Sequence, residues 1–327
     1  MVDISQKITE QAVLFGGRSS LVGILTRAVS AASADCPAIV ILNTGIVHRV
    51  GEHRMFVTMS RALAAVGCTV LRFDFSGIGD SAHRDDGLSM AEASMSEIKE
   101  ALDWLERDGK ASRMILVGLC SGADHALLYG HTDPRIVGLV LMDPLIPPTL
   151  RYYLQYIAQR LRKLRSWFNV LSGRSRALRM LMRHMLPIVK PRKARLYPAQ
   201  NGVTRQTIER HYQNSVDRGI EILAIFSEDT TRQTYREQMI EALPNVSFAD
   251  RLKLEFFPGS DHTFTLESDR SRLIQLIVQW VTRQKRPHEQ SVRLGRSVTA
   301  QARSDPAEPC GSESRARGGR HVDDFVK

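Results

Sequence analysis

Between Arg151 and Ile208 the chain has no aspartate or glutamate, although 14 lysines and arginines fall there. The net charge of +10 over 327 residues is therefore unevenly spread. Residues Gln284 to Lys327 hold nine basic and six acidic side chains; against a total of +10, a +14 segment and a +3 tail leave −7 for the rest. A mildly acidic body carrying one basic segment excludes the evenly basic surface of a nucleic-acid-binding protein. Cysteine is also scarce. Cys36, Cys68, Cys120 and Cys310 are scattered, with no C-x-x-C pair and no Cys/His spacing for a metal, so no metal site is expected. Two disulfides could be drawn among four cysteines, but the chain length and the absence of a secretory leader favour reduced thiols in the cytoplasm. The opening Met1-Val2-Asp3-Ile4-Ser5-Gln6-Lys7 has no apolar signal core, and no run approaches the ~20 apolar residues of a membrane-spanning helix. Internal repeats are missing as well. Gly77-x-Gly79 runs into Asp80-Ser81 without a third glycine or a phosphate-loop lysine, so no nucleotide or other cofactor is expected.

What is present is an ordinary globular balance, 43% hydrophobic and 24% charged, which excludes wholesale disorder. Short apolar runs alternate with helix-like stretches, the pattern of a mostly parallel sheet covered by helices. Strands are expected over about 8–15 and 21–28, joined by Gly16-Gly17-Arg18-Ser19-Ser20 as a hairpin, then over 38–42, 69–73, 114–119, 136–142, 220–226 and 252–257. Helices are expected over about 54–66, 89–107, 122–129, 231–243 and 271–283. Ile98, Leu102 and Leu105 mark the inner face of the second helix, and Leu273, Ile277 and Trp280 that of the last. Pro144, Pro147 and Pro148 interrupt the alternation, and a basic helical insertion occupies 146–218. The expected core is thus 1–145 with 219–283. Residues 284–327, rich in Arg, Ser, Gly and Pro without periodicity, are expected to form a disordered tail.

The segment Ile115-Leu116-Val117-Gly118-Leu119-Cys120-Ser121-Gly122-Ala123 carries the most chemistry. A strand runs directly into G-x-C-x-G and then a helix, a nucleophile elbow with cysteine in the usual serine place. Glycines two residues to either side let strand and helix approach closely. The helix N-terminus favours an anion and so lowers a thiol pKa toward the reactive thiolate. A buried inert cysteine is the competing reading of such a residue, and Ser121 is the competing nucleophile. The flanks of Ser121, Leu119 and Ala123, break the glycine pattern, and its backbone N–H is better suited to an oxyanion.

Leu71-Arg72-Phe73-Asp74-Phe75-Ser76-Gly77-Ile78-Gly79-Asp80-Ser81 resembles the D-x-x-G-x-G-x-S turn of the α/β-hydrolase superfamily. Leu42-Asn43-Thr44-Gly45-Ile46-Val47-His48-Arg49 stands in the place of its oxyanion loop, with Asn-Thr-Gly where His-Gly is usual. Together with Arg49-Val50-Gly51, Arg54 and Gly118 to Ala123, these motifs resemble serine-aminopeptidase-like bacterial hydrolases, in particular a subgroup encoded with exosortase or polysaccharide systems. The similarity spans about residues 8–283. It implies an α/β-hydrolase fold, a mostly parallel eight-stranded sheet flanked by helices with a helical lid insertion, and a chain order of nucleophile, acid, histidine.

His262, in Pro258-Gly259-Ser260-Asp261-His262 after the last strand, then takes the place of the base. His48, His53, His83 and His125 lack that context and read as structural or substrate-side residues. The acid is expected after the preceding strand, in Ser227-Glu228-Asp229, with Asp229 first and Glu228 second. Asp143, ending the strand before, is the alternative, competing with a capping role before Pro144. The expected chemistry is hydrolysis of a carboxylic ester or thioester through an acyl-enzyme on Cys120, with backbone N–H groups of Gly45, Ile46 and Ser121 around the oxyanion. The contrasting readings are a non-catalytic hydrolase-like scaffold that binds an acyl ligand or partner, and an acyltransferase or peptidase.

In the insertion, Tyr152-Tyr153-Leu154-Gln155-Tyr156-Ile157 and Leu161-Arg162-Lys163-Leu164-Arg165-Ser166-Trp167-Phe168 place apolar residues at helical spacing with cations between. Such a lid is read as a solvated basic face, as a rim for a small anionic or carrier-bound acyl substrate, or as a peripheral contact with an anionic membrane.

Overall fold

A computed structural model describes residues 8–17, 21–29, 36–109, 111–152, 154, 204–228 and 235–284. Eight strands, β1 (Ile8–Phe15), β2 (Leu21–Ala28), β3 (Ala38–Leu42), β4 (Val70–Phe73), β5 (Met114–Leu119), β6 (Ile136–Met142), β7 (Glu221–Ser227) and β8 (Leu252–Phe257), form one sheet in the order β1-β2-β4-β3-β5-β6-β7-β8. β1 pairs antiparallel with β2, and β2 with β4; every other pairing is parallel. Among the described residues, helices flanking it include α1 (Met55–Ala65), α2 (Met90–Gly109), α3 (Ser121–Gly130), α4 (Arg205–Asp217), α5 (Gln238–Ala242) and α6 (Glu267–Gln284).

The strand periodicity sorts the core into two layers. In β3 the side chains of Ala38, Val40 and Leu42 join the cluster that includes Ile98, Leu102 and Leu105 of α2, whereas Ile39 and Ile41 join Met59 and Leu63 of α1 and Leu273, Ile277 and Trp280 of α6. Every residue of β3, β4 and β5 is buried, as expected of inner strands covered on both faces. The eight strands therefore fall where the apolar runs put them, with β1, β2, β3, β5, β6 and β8 at the expected bounds.

Three departures from the sequence reading have local causes. The helix expected over 231–243 is only the short α5 within the described residues, because Tyr235 to Glu237 form a turn ahead of it and 229–234 lie outside them. α4, read from sequence as the end of the insertion, buries Ile208 and Tyr212 in the α2–α3 layer of the core. Its Thr204 caps it, the side chain accepting from the Thr207 N–H at 3.2 Å. Residues 153 and 155–203 of the insertion and all of the tail after Gln284 lie outside the described residues. Lastly, Cys36 and Cys68 are not reduced thiols: they form a disulfide with Cα atoms 5.5 Å apart. The two cysteines sit two residues before β3 and β4, and the parallel register pairing Ile39 with Val70 brings those approaches together. No sequence spacing reveals that adjacency. Cys310 is outside the described residues.

Candidate active site

The C-terminal ends of β3, β5, β6 and β8 open onto one edge of the sheet, the edge at which open α/β sheets gather their sites. β5 delivers Cys120 there. The residue has φ 56° and ψ −119°, a strained backbone that turns the chain from β5 into α3 and holds the thiol out of the strand. The flanking glycines are required by space. A Cβ on Gly118 would stand 2.1 Å from the Gly122 carbonyl carbon, and one on Gly122 would stand 2.6 Å from the Asn43 carbonyl oxygen. Cys120 stands outside the disulfide, half-buried at the α3 N-terminus, where the helix dipole favours a thiolate.

β8 delivers His262. Its loop is shaped by Asp261, whose carboxylate accepts from the Thr265 N–H (2.8 Å), the Thr265 hydroxyl (2.7 Å) and the Thr263 hydroxyl (2.9 Å). Phe264, at φ 51°, is driven fully into the core edge-on to Phe257. These anchors hold the imidazole between a thiol and a carboxylate. His262 Nδ1 lies 2.8 Å from Asp143 Oδ2. The hydrogen bond to Asp143, then the one to Cys120, raise the His262 pKa to about 10, against a smaller opposing effect of burial.

Asp143 follows β6 at φ 45° and is 1% exposed. Its main-chain N–H donates to Ile225 of β7 at 2.8 Å. Its carboxylate accepts the Ser227 N–H at 2.8 Å and the Ser227 hydroxyl at 2.6 Å, besides the histidine. A buried carboxylate with three donors is held in one orientation. Asp124 of α3 helps to fix the same loop by accepting the Leu145 N–H at 2.7 Å. Glu228 is directed elsewhere, its Oε2 accepting the Gly259 N–H at 2.7 Å. Asp229, the first expectation for the acid, lies outside the described residues.

The loop after β3 is braced by a buried polar network that the sequence did not single out. Asn43 donates to the Val47 carbonyl (2.8 Å) and to Asp74 (3.3 Å), and accepts from the Phe75 N–H (2.9 Å). Asp74, fully buried, also accepts from the Arg49 N–H at 2.5 Å and the Asp80 N–H at 3.2 Å, and pairs with the Arg49 guanidinium, which reaches on to Asp80 at 2.6 Å. Asp74 and Arg49 stand in motifs that carried the family resemblance, which is the signal that could have found them. Of the three expected oxyanion residues, Gly45 and Ser121 are joined: the Gly45 N–H donates to Ser121 Oγ at 2.6 Å. Ile46 lies beside them with its side chain 88% exposed. His125 packs edge-on to Phe75, its pKa lowered by burial. No group of three or more metal-binding side chains occurs among the described residues.

An eight-stranded, mostly parallel sheet in this order, with a strand–turn–helix elbow at the end of β5, is that of an α/β-hydrolase. The pattern of the serine aminopeptidase, S33, family matches residues 39–231, and the chain belongs to that family. No curated protein matches the sequence. Among solved structures, the chain is similar to an esterase from Pyrococcus furiosus, at 16% identity and a TM-score of 0.52, over 86% of this chain and 92% of that one. It is similar to a hypothetical protein from Pseudomonas aeruginosa, at 18% identity and a TM-score of 0.54, over 87% and 97%. A proline iminopeptidase from Mycobacterium smegmatis shares 15% identity and a TM-score of 0.51, over 85% and 99%. At these identities the likeness is one of fold. The protein is a hydrolase of the esterase or peptidase-like kind.

Proposed function

We propose that the protein hydrolyses a carboxylic ester or thioester through an acyl-enzyme on Cys120, with His262 as base and acid and Asp143 as the orienting carboxylate. The observation that carries this reading is the continuous chain from Cys120 to His262 to Asp143. The Ser121 hydroxyl, the rival nucleophile, is engaged instead with Gly45. Asp143 stands here in the role first expected of Asp229.

With its pKa raised to about 10, His262 carries its proton at neutral pH, the charge partner that a Cys120 thiolate needs as the attacking form. The thiolate attacks the carbonyl carbon; a C–S bond forms and the carbonyl π pair moves onto oxygen. Collapse of that oxyanion breaks the bond to the leaving group, which takes the His262 proton. The neutral imidazole then removes a proton from water as the oxygen attacks the acyl carbon. Collapse expels the Cys120 thiolate and releases the acid, with His262 protonated again. A thiolate suits esters and thioesters better than unactivated amides, so a peptidase is the weaker match despite the family description. The 14 cations between Arg151 and Ile208 suit an anionic or carrier-bound acyl group, or a peripheral contact with an anionic membrane. No helix among the described residues is long and apolar enough to cross a membrane.

Short p-nitrophenyl esters and acyl thioesters provide the test. Cys120→Ala is expected to abolish turnover of both, and the wild-type enzyme to gain one acyl mass on Cys120 when quenched early. Turnover by Cys120→Ala at the wild-type rate overturns the assignment.

A further inference from the structure

An oxyanion hole needs N–H or O–H groups whose hydrogens are free to meet the developing charge. One of the expected donors is not free. The Gly45 N–H is spent on Ser121 Oγ, at 2.6 Å. This is no chance surface contact. The loop after β3 and the elbow are pressed together until a single Cβ on Gly122 would collide with the Asn43 and Leu42 carbonyl oxygens, at 2.6 and 2.9 Å. The loop itself is held from behind by Asn43, Asp74 and Arg49. Gly45, at φ 54°, presents its amide to the residue that follows the nucleophile.

The consequence lies in the direction of the hydrogen bond. Ser121 Oγ accepts from Gly45, and a hydroxyl that accepts is a better donor through its own hydrogen, because the two bonds polarise one another. Among the described residues that hydrogen has no acceptor. Ser121 is also the first residue of α3, so its main-chain N–H has no carbonyl a turn earlier to bond. Two free donors therefore sit on one residue, next in the chain to Cys120 and at the positive end of a helix.

Resting on the acyl-enzyme reading above, we propose that Ser121 is a catalytic residue whose hydroxyl, polarised by the Gly45 N–H, holds the oxyanion beside the main-chain N–H already expected there. The Gly45 amide acts through the hydroxyl rather than on the substrate. No proton is transferred in this role. As the Cys120–carbon bond forms and the π pair moves to oxygen, the Ser121 O–H bond stays intact and its hydrogen bond strengthens; when the leaving group departs, the carbonyl re-forms and the hydrogen bond weakens.

The test compares Ser121→Ala, Ser121→Thr and the wild type on a p-nitrophenyl ester, with alkylation of Cys120 by iodoacetamide as a reaction of the same thiolate that develops no oxyanion. Loss of one such donor is worth about 10²-fold in kcat. Ser121→Ala is expected to show that loss with KM and the alkylation rate near the wild-type values, and Ser121→Thr, which keeps the hydroxyl, to recover most of it. Three results overturn the inference: wild-type or faster turnover by Ser121→Ala; equal losses in ester turnover and alkylation, which would make the hydroxyl a support for the thiolate; or no recovery with threonine. Each is distinct from failure of the acyl-enzyme reading, which shows as full turnover by Cys120→Ala.

Discussion

The carboxylate that meets His262 belongs to Asp143, on the loop leaving β6, and Ser227 at the end of β7 donates to it twice. The parallel register that pairs Met142 with Ile225 sets the two strand ends side by side, so the hydroxyl on one meets the carboxylate on the other.

Replacing Asp143 by asparagine removes the largest cause of the raised His262 pKa. The imidazole is then expected to titrate nearer its ordinary value, with kcat falling by about 10²-fold or more as the ring loses its orientation and its charge partner. Histidine NMR across pH 5–10 reads the pKa. In the wild type, a folded value near 10 against about 6.5 in the unfolded chain means that this pair's contribution to stability is full below pH ~6.5 and is lost as the pH rises through 10. Urea unfolding at several pH values is expected to show that loss, and to show it flattened in Asp143→Asn.

Ser227→Ala leaves the main-chain donor to Asp143 and removes the hydroxyl. A hydrogen bond to a buried charge is worth about 1.5–3 kcal/mol, and a loss of stability in that range is expected by denaturant titration. The remaining turnover should have a His262 titration shifted from the wild type, a change that a purely structural serine would not produce. Ser227→Thr is expected to restore both.

Arg49→Ala strips the guanidinium from fully buried Asp74. Breaking one side of a buried ion pair costs about 3–5 kcal/mol because the other charge stays uncompensated. Thermal denaturation should show a large fall in Tm, and turnover should fall further than folding explains, since Asn43 and the oxyanion loop lean on the same carboxylate.

The Cys36–Cys68 disulfide closes a loop with a sequence separation of 32. Loop-closure entropy at that length gives about 3–4 kcal/mol. The Cys36→Ala/Cys68→Ala double variant is expected to lose stability of that order in guanidinium unfolding under non-reducing conditions, while keeping ester turnover, since neither residue reaches the catalytic edge.

Most of the frame was legible from the chain because it follows from local pattern. Continuous apolar runs such as Ala38 to Leu42 mark inner parallel strands, and Ile98, Leu102 and Leu105 mark a helix face. The turn after β5 at Cys120 and the loop after β8 at His262 also follow their strands as read. The neighbour of His262 was less legible, because Asp143 and Asp229 are both acidic residues near strand ends; the hydrogen bond at His262 is a relation between residues 119 apart in sequence. The disulfide and the Asn43–Asp74–Arg49 network were illegible for the same reason, each being made by strand adjacency. α4 misled in the opposite sense: it was counted with the basic insertion over 146–218, while Ile208 and Tyr212 tie it to the core.

Disulfide and free thiol occupy opposite edges of the sheet. Cys36 and Cys68 precede β3 and β4, Ala38 is level with Met114 at the start of β5, and Cys120 follows its end. At ~3.3 Å per residue, six-residue β5 alone separates the two kinds of sulfur by roughly 20 Å. Thiol–disulfide exchange needs the attacking sulfur in contact with the bond it breaks. A nucleophilic thiolate and a disulfide can thus share one chain without reacting while the strands stay paired. A disulfide joining Cys120 to Cys36 or Cys68 within a single molecule would then be a chemical record that the sheet had come apart.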